Sequence, residues 1–207
     1  MLRVYFCRLP EHEPVISPGL LSAYRKEKLL KQKNARVRLQ SLCAELLLLH
    51  ALADSGFPPD GPMDIGSDEN GKPLLRGGEC CFSLSHSADA LLCALCSREI
   101  GADIQIQKRA RAALMKRCFT LEEQSYVSGM EDQDAAFSEI WSKKESFCKL
   151  DGRGLALSPV SFSVFDDEIA SLLWHGTEGE YHISVCSDAV KTENVKLTRV
   201  EASVLFP

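Results

Sequence analysis

The stretch Glu99-Ile100-Gly101-Ala102-Asp103-Ile104-Gln105-Ile106 alternates between apolar residues and small or polar ones. Side chains on a β-strand point to opposite faces in turn, so this alternation predicts a strand. Its isoleucines and Ala102 would face a core, whereas Asp103 and Gln105 would share the other face with Gly101. The strand therefore presents a carboxylate and an amide on one side.

A long helix is predicted downstream, over residues 134–150. Asp132 or Asp134 provides its N-cap, and Gly152 and Gly154 end it. Phe137 and either Ile140 or Trp141 mark its buried side, and Lys144, seven residues after Phe137, interrupts that stripe.

Charged and aromatic residues are interleaved near the end of this helix. Glu145 and Lys149 stand four residues apart and share a face with Trp141. The simplest interpretation is a surface ion pair worth about 0.2–0.5 kcal/mol. The neighbouring Trp141 and Phe147 favour a groove instead.

The carboxylates of Asp103 and Glu145 would come from separate elements, with lysines alongside. Mg²⁺ prefers one or two protein carboxylates and completes its octahedron with water and substrate oxygens. Lysines can then neutralise the remaining charge of a phosphate. This combination suits a magnesium ion that holds phosphate oxygens.

The remaining chain alternates helices and strands. Strands are predicted over residues 4–9, 80–85, 90–96, 161–165, 181–186 and 196–200, and helices over 17–54, 110–117 and from Thr120 onward. The first helix begins at Ser17-Pro18 and is bent or broken near Asn34, and Thr120 forms a capping box with Glu123. This order indicates an α+β fold with two similar halves, residues 1–98 and 99–207, which meet near Arg98.

The composition is that of a globular protein, with 207 residues, 45% of them hydrophobic and 26% charged. This excludes a largely disordered chain. No apolar run approaches the roughly 18 residues that cross a bilayer, and residues 1–10 lack a signal-peptide core. The expected location is the cytoplasm.

Nine cysteines are present, among them a CxxC at Cys93 and Cys96. No second pair stands at zinc-site spacing, and the CxxC lies within an apolar run. We expect reduced cysteines that pack as small hydrophobic residues.

Charge is unevenly distributed along the chain, whose net charge is −5. Residues 25–38 contain seven basic residues and one acid. Such a cluster indicates either a local anionic partner or a solvated helix face.

Two motifs carry a resemblance to a known family. Gly101-Ala102-Asp103-Ile104, followed by Trp141-Ser142-Lys143-Lys144-Glu145-Ser146-Phe147-Cys148-Lys149, resembles the signatures of 4′-phosphopantetheinyl transferases of the surfactin-synthetase-activating type. Further pieces agree in order: Asn70-Gly71-Lys72-Pro73, Phe82-Ser83-Leu84-Ser85-His86-Ser87 and Gly152-Arg153-Gly154-Leu155. The resemblance covers about residues 25–155.

The resemblance implies an enzyme that moves the 4′-phosphopantetheine arm of coenzyme A onto a serine of an apo acyl or peptidyl carrier protein. Adenosine 3′,5′-bisphosphate would be released. The cofactor would be Mg²⁺, with Mn²⁺ as an alternative, and coenzyme A would be the co-substrate. The chain would be a monomer of two halves, without a nucleic-acid or membrane partner.

The resemblance also implies roles for individual residues. Asp103 and Glu145 match the metal ligands, and Glu145 also matches the general base. Lys149 matches a lysine near the bridging phosphate and would complete the catalytic set, and Lys144 matches one beside the pyrophosphate. Gln105 stands where many relatives carry a third carboxylate, so it could ligate the metal directly or through water but brings no charge.

Other residues are implied on the coenzyme A side. Lys72 and Pro73 match the adenine-side loop, and Ser85 and His86 match contacts to the nucleotide phosphates. The 3′-phosphate would meet Arg36 or Arg38, of which Arg38 is favoured.

Three other functions remain alternatives. A non-catalytic relative could bind coenzyme A or carrier protein, but it would be expected to lack Asp103, Glu145 or Lys149. A nucleic-acid arm at residues 25–38 would leave residues 141–149 unexplained. A magnesium-dependent nucleotide hydrolase would need no carrier, and the sequence has no GxxxxGK[ST] loop.

Overall fold

A computed structural model describes residues 1–12, 16, 18–78, 80–192 and 194–206. The strands are β1 Leu2–Arg8, β2 Ile65–Ser67, β3 Pro73–Leu75, β4 Cys81–Ser87, β5 Ala90–Cys96, β6 Gly101–Ile106, β7 Leu173–Glu178, β8 Tyr181–Cys186 and β9 Leu197–Val200. The α-helices are α1 Ala23–Lys31, α2 Ala35–Asp54, α3 Ala112–Cys118, α4 Leu121–Gly129, α5 Gln133–Asp151 and α6 Asp167–Ala170. The mixed α+β class is confirmed. Within the described residues, no helix is long and apolar enough to span a membrane.

The first sheet has the strand order β4-β5-β1-β9. β5 pairs antiparallel with both β1 and β4, while β9 runs parallel to β1. Both faces of β5 are buried, which explains its unbroken apolar sequence. Cys93 packs into the core under α2 and Cys96 into the core on the other face, so this CxxC does not converge on one site.

The second sheet has the order β6-β8-β7 and is antiparallel throughout. Its apolar face, with Ile104 and Ile183, shares a core with the first sheet. Its polar face carries Asp103 and Ser184 opposite each other and is covered by α5. The predicted alternation along residues 99–106 is therefore confirmed.

Most predicted helix boundaries are confirmed. Asn34 caps α2 and separates it from α1, Thr120 and Glu123 form the capping box of α4, and Gly152 ends α5 in the left-handed conformation at φ 82°. Asp132 is the N-cap of α5. The prediction of a helix from Ser17-Pro18 was wrong at Pro18, which lies in a short 3₁₀ turn. The helix α1 begins later, where Ser22 is its N-cap. Ser17 lies outside the described residues.

The tail differs from its prediction. Residues 161–165 do not form a strand; a 3₁₀ turn at Pro159–Ser161 is followed by irregular chain whose backbone bonds to buried side chains. The strand β7 was not predicted. β9 joins the first sheet, so the C-terminal end of the chain pairs with its N-terminal strand. The division into two halves, residues 1–98 and 99–207, stays a prediction.

Candidate active site

A close approach between α5 and β6 brings the two signature motifs together. A Cβ on Gly101 would lie 2.9 Å from the carbonyl carbon of Lys149 and closer still to backbone atoms of Ser146 and Leu150. Only glycine leaves room for the helix backbone at this point. Serines at four-residue steps, 138, 142 and 146, are fully buried on the same side of α5. Small side chains thus let the helix lie directly on the strand.

Asp103 and Lys149 form the centre of the site. The Lys149 ammonium donates to Asp103 Oδ1 at 2.8 Å and to the Ala102 carbonyl at 3.0 Å. Ser85 Oγ donates to the same Asp103 oxygen at 2.7 Å. A lysine has three donors, so within the described residues Lys149 keeps one for another acceptor.

Glu145 lies one helical turn before Lys149 and lines the same cleft. Burial raises the pKa of Glu145 above its ordinary value, and the negative charge of Asp103 raises it further, while Lys149 lowers it. Two carboxylates that repel each other in a partly buried site fit a divalent cation, which would relieve that repulsion. No cluster of three or more His, Cys, Asp or Glu suited to a metal occurs in the part of the chain that the structure describes.

Gln105 lies two residues beyond Asp103 on the same face. Its Nε2 donates to Ser87 Oγ at 3.2 Å and to its neighbour's carbonyl, Ile106 O, at 3.1 Å. Both bonds use the nitrogen, so they orient the amide and leave its oxygen as the group a metal or its water could use. The nitrogen–oxygen assignment follows from this network.

Alternate serines of β4 hold the strand that carries Asp103, a feature that the sequence analysis did not predict. Ser83 Oγ accepts from the Ala102 backbone N–H at 2.9 Å, and Ser87 Oγ accepts from that of Ile106 at 3.0 Å. Ser85, between them, binds the carboxylate itself. The period-two pattern Ser83-x-Ser85-x-Ser87 was the available signal, because it places three hydroxyls on one face.

A cleft of about 770 Å³ runs along α5 beside these residues. The cleft is lined along the helix by Trp141, Glu145, Lys149 and Gly152. Residues 70–73 line it as well. The structure thus brings Lys72 and Pro73 to the cleft. The Lys72 ammonium contacts Glu99 Oε2 at 2.8 Å and the Leu150 carbonyl at 3.3 Å, which ties this loop to the end of α5.

His86 follows Ser85 on β4, and its side chain is exposed. Crowding by neighbouring protein atoms lowers the pKa of His86, the positive charge of Lys149 lowers it further, and Asp103 opposes both. Ser85 is buried and already bonded to Asp103, so it reaches the site as a support for the carboxylate.

Arg36 and Arg38 point to different neighbours. Arg36 is exposed and donates to the Ala88 carbonyl, in the turn just after His86. Arg38 donates to the Leu29 carbonyl at 2.6 Å, at the end of α1. Arg36 therefore contacts the turn that follows His86, whereas Arg38 ties α2 to α1, and the choice between them for the 3′-phosphate stays a prediction. Arg25 is buried in an ion pair with Glu45 and does not add to the exposed cluster.

Lys144 does not reach the cleft, contrary to its expected place beside the pyrophosphate. Its side chain is 1% exposed and forms an ion pair with Glu123 at 2.8 Å. Successive residues of a helix point about 100° apart, so Lys144 lies at the edge of the helix face that Glu145 presents to the cleft. There the Pro159 and Phe162 carbonyls accept from its ammonium. Burial lowers the pKa of Lys144, while the hydrogen bond and charge of Glu123 act in the opposite direction.

Comparisons with known proteins show the family of this chain. A model of the 4′-phosphopantetheinyl transferase superfamily matches residues 99–200. A 4′-phosphopantetheinyl transferase of Bacillus subtilis is 31% identical over 184 residues, covering 81% of this chain and 82% of the relative. The transferase Sfp of Bacillus subtilis (strain 168) is 29% identical over 149 residues, covering 70% and 66%. The transferase gsp of Aneurinibacillus migulanus is 23% identical over 223 aligned positions, covering 99% and 94%. The chain belongs to the 4′-phosphopantetheinyl transferase superfamily.

Proposed function

We propose that this chain transfers the 4′-phosphopantetheine arm of coenzyme A to a serine of an apo carrier protein, with Mg²⁺ held by Asp103 and Glu145. Family membership and the named relatives support the transfer reaction. The residue roles rest on the site's own contacts. The observation that carries them is that Lys149, which lines the cleft with Glu145, donates to the Asp103 carboxylate.

Each of these residues has a definable task in phosphoryl transfer. Mg²⁺, when bound, would neutralise charge on the pyrophosphate oxygens. Asp103 is held in place by Ser85 and Lys149 and offers its carboxylate as a ligand. Lys149 uses its remaining donor to stabilise the phosphate that leaves. Glu145 lines the cleft and takes the proton from the carrier serine.

On the coenzyme A side, His86 and Arg36 are proposed as phosphate contacts and Lys72 with Pro73 as the adenine side. Lys144 is removed from this set because its ammonium is buried against Glu123. Gln105 would act on the metal through its amide oxygen, directly or through water.

The test is mass spectrometry of a panel of apo acyl and peptidyl carriers after incubation with coenzyme A and Mg²⁺. A carrier mass gain of one phosphopantetheine group is expected with the unaltered chain. Asp103→Ala and Glu145→Gln should each abolish the gain and leave the fold intact by circular dichroism. Substantial transfer by either folded variant would refute the assigned roles.

A non-catalytic relative that binds coenzyme A or carrier is the second candidate. It predicts binding without a mass gain on any carrier in the panel. The retention of all three central residues in one site argues for catalysis.

We also propose how the molecule is organised, as a monomer of two α+β halves. Two α+β halves are supported by one long helix on each main sheet, α2 on β5 and α5 on β6. A monomer in the cytoplasm, and Mn²⁺ as an alternative metal, remain predictions.

A further inference from the structure

Lys144 belongs to the signature motif, yet its donors are all used inside the protein. Its Nζ donates to the Pro159 and Phe162 carbonyls, each at 2.7 Å, and contacts Glu123 Oε2 at 2.8 Å. An ammonium has three N–H donors, and these three partners account for them. Nothing is left to bind a phosphate, so the residue must serve the site in another way.

Glu123 is the matching partner, fully buried at the start of α4. Its Oε1 accepts from the Val164 backbone N–H at 2.8 Å and its Oε2 from that of Thr120 at 2.8 Å. Lys144 and Glu123 therefore bond the backbone of residues 159–164 at three points. This explains why that segment is not a strand: side chains take the backbone groups that a neighbouring strand would use.

The first residue of this segment, Pro159, forms one wall of the cleft together with the two residues before it. Leu157, Ser158 and Pro159 line the cleft together with Trp141 and Glu145. We call residues 157–159 the cleft wall. From its place on α5 between Trp141 and Glu145, Lys144 bonds the last residue of this wall, Pro159.

The other end of the cleft holds the predicted adenine side. A Cβ on Gly152 would lie 3.7 Å from the Lys72 side chain, which places the loop with Lys72 at the Gly152 end. With a rise of 1.5 Å per residue, Lys144 and Gly152 are separated by about 12 Å along α5. Pro159, the wall residue that Lys144 bonds, is therefore held away from the end of the cleft that carries the predicted adenine side.

We infer that Lys144 and Glu123 are positioning residues that set the cleft wall opposite Glu145 and thereby control how the part of coenzyme A beyond its nucleotide is held. They do so without touching the substrate. This inference rests on the proposed function, since it takes coenzyme A as the ligand of the cleft.

The experiment uses a double variant, Lys144→Met with Glu123→Gln, which removes both charges and leaves no buried ion unpaired. Calorimetry compares its affinity for coenzyme A with that for adenosine 3′,5′-bisphosphate, which lacks the arm. We expect at least a tenfold loss for coenzyme A and less than a twofold change for the bisphosphate. In the transfer assay the KM for coenzyme A should rise at least tenfold, with kcat changed less than threefold.

A matched control is the neighbouring ion pair Glu139–Lys143, which joins two side chains within α5. Lys143→Met with Glu139→Gln should leave both affinities unchanged. If the first double variant does not fold, Lys144→Arg keeps the charge but displaces the wall, and it should shift the affinity ratio in the same direction by at least threefold.

Two results would overturn the inference. An equal loss for both ligands would mean that Lys144 acts at the nucleotide phosphates. Unchanged affinities and KM in a folded variant would mean that the pair does not govern the cleft. An unaltered chain that binds coenzyme A but modifies no carrier would refute the proposed function alone, because the affinity ratio still tests the positioning role.

Discussion

Gly101 is the point where β6 meets α5, and a single methyl group there should separate the catalytic residues. In Gly101→Ala the new Cβ would lie 2.9 Å from one backbone atom of α5 and closer to two others, whereas real Cβ atoms essentially never come within 3.0 Å. The obstructing atoms are helix backbone, so they cannot rotate away. Relief requires the helix to move by roughly 1 Å, the size of misplacement that can cost about 100-fold in rate.

The same movement should reduce stability. Overpacking costs about 1–3 kcal/mol, and the rigid neighbours favour the upper end of that range. For a chain of this length, each kcal/mol lowers Tm by about 2–4 °C, so a decrease of roughly 6–12 °C is expected for 3 kcal/mol.

The assay combines thermal unfolding with kcat/KM for transfer to an apo carrier. Gly129→Ala is the control, because a Cβ there meets nothing within 4 Å; it should keep wild-type activity and stability. The reasoning fails if Gly101→Ala retains the Tm of the unaltered chain and a kcat/KM within twofold of it.

Three further changes test separate parts of the molecule. Gln105→Glu should tighten Mg²⁺ binding or change the metal preference, because it adds a carboxylate beside Asp103; overlaying metal titrations of the two forms would contradict this. Glu45→Gln should lower the free energy of unfolding by about 3 kcal/mol, because it leaves Arg25 buried without its countercharge; chemical denaturation measures the loss, and a change below about 0.5 kcal/mol would be inconsistent with a buried pair. Burial lowers the pKa of His175 from its ordinary value of 6.5 to about 4 in the folded chain. Between pH 6.5 and about pH 4, His175 is therefore protonated in the unfolded chain and neutral in the folded chain. Stability should therefore decrease as pH falls through this window, and His175→Gln should flatten the decrease; parallel curves for both forms would exclude the residue as a cause.

Local patterns were sufficient for the elements that carry the site. The alternation along residues 99–106 predicted the shared face of Asp103 and Gln105. The capping residues predicted the start of α4 and both ends of α5. Each of these signals is written in neighbouring residues and does not depend on the rest of the fold.

Features that depend on distant residues could not be read in the same way. The failed strand at residues 161–165 has suitable side chains, but its backbone is bonded by Lys144 and Glu123. The pairing of β9 with β1 joins opposite ends of the chain, and no local pattern encodes it. Arg36 and Arg38 are two residues apart, so only the packing of α2 decides which of them lies near His86.

The three lysines of the signature motif differ in the hydrogen-bond partners of their ammonium groups. Lys143 contacts Glu139 on the same helix, and the three N–H donors of Lys144 all bond buried partners. Lys149 donates two hydrogen bonds, to Asp103 and to the Ala102 carbonyl, and within the described chain its third N–H donor has no protein acceptor. Because Asp103 also needs Lys149 as a partner, the lysine can serve the phosphate and the carboxylate together. In the proposed function, Lys149 would link the metal site to the leaving group, and Lys144 would fix the wall that faces them.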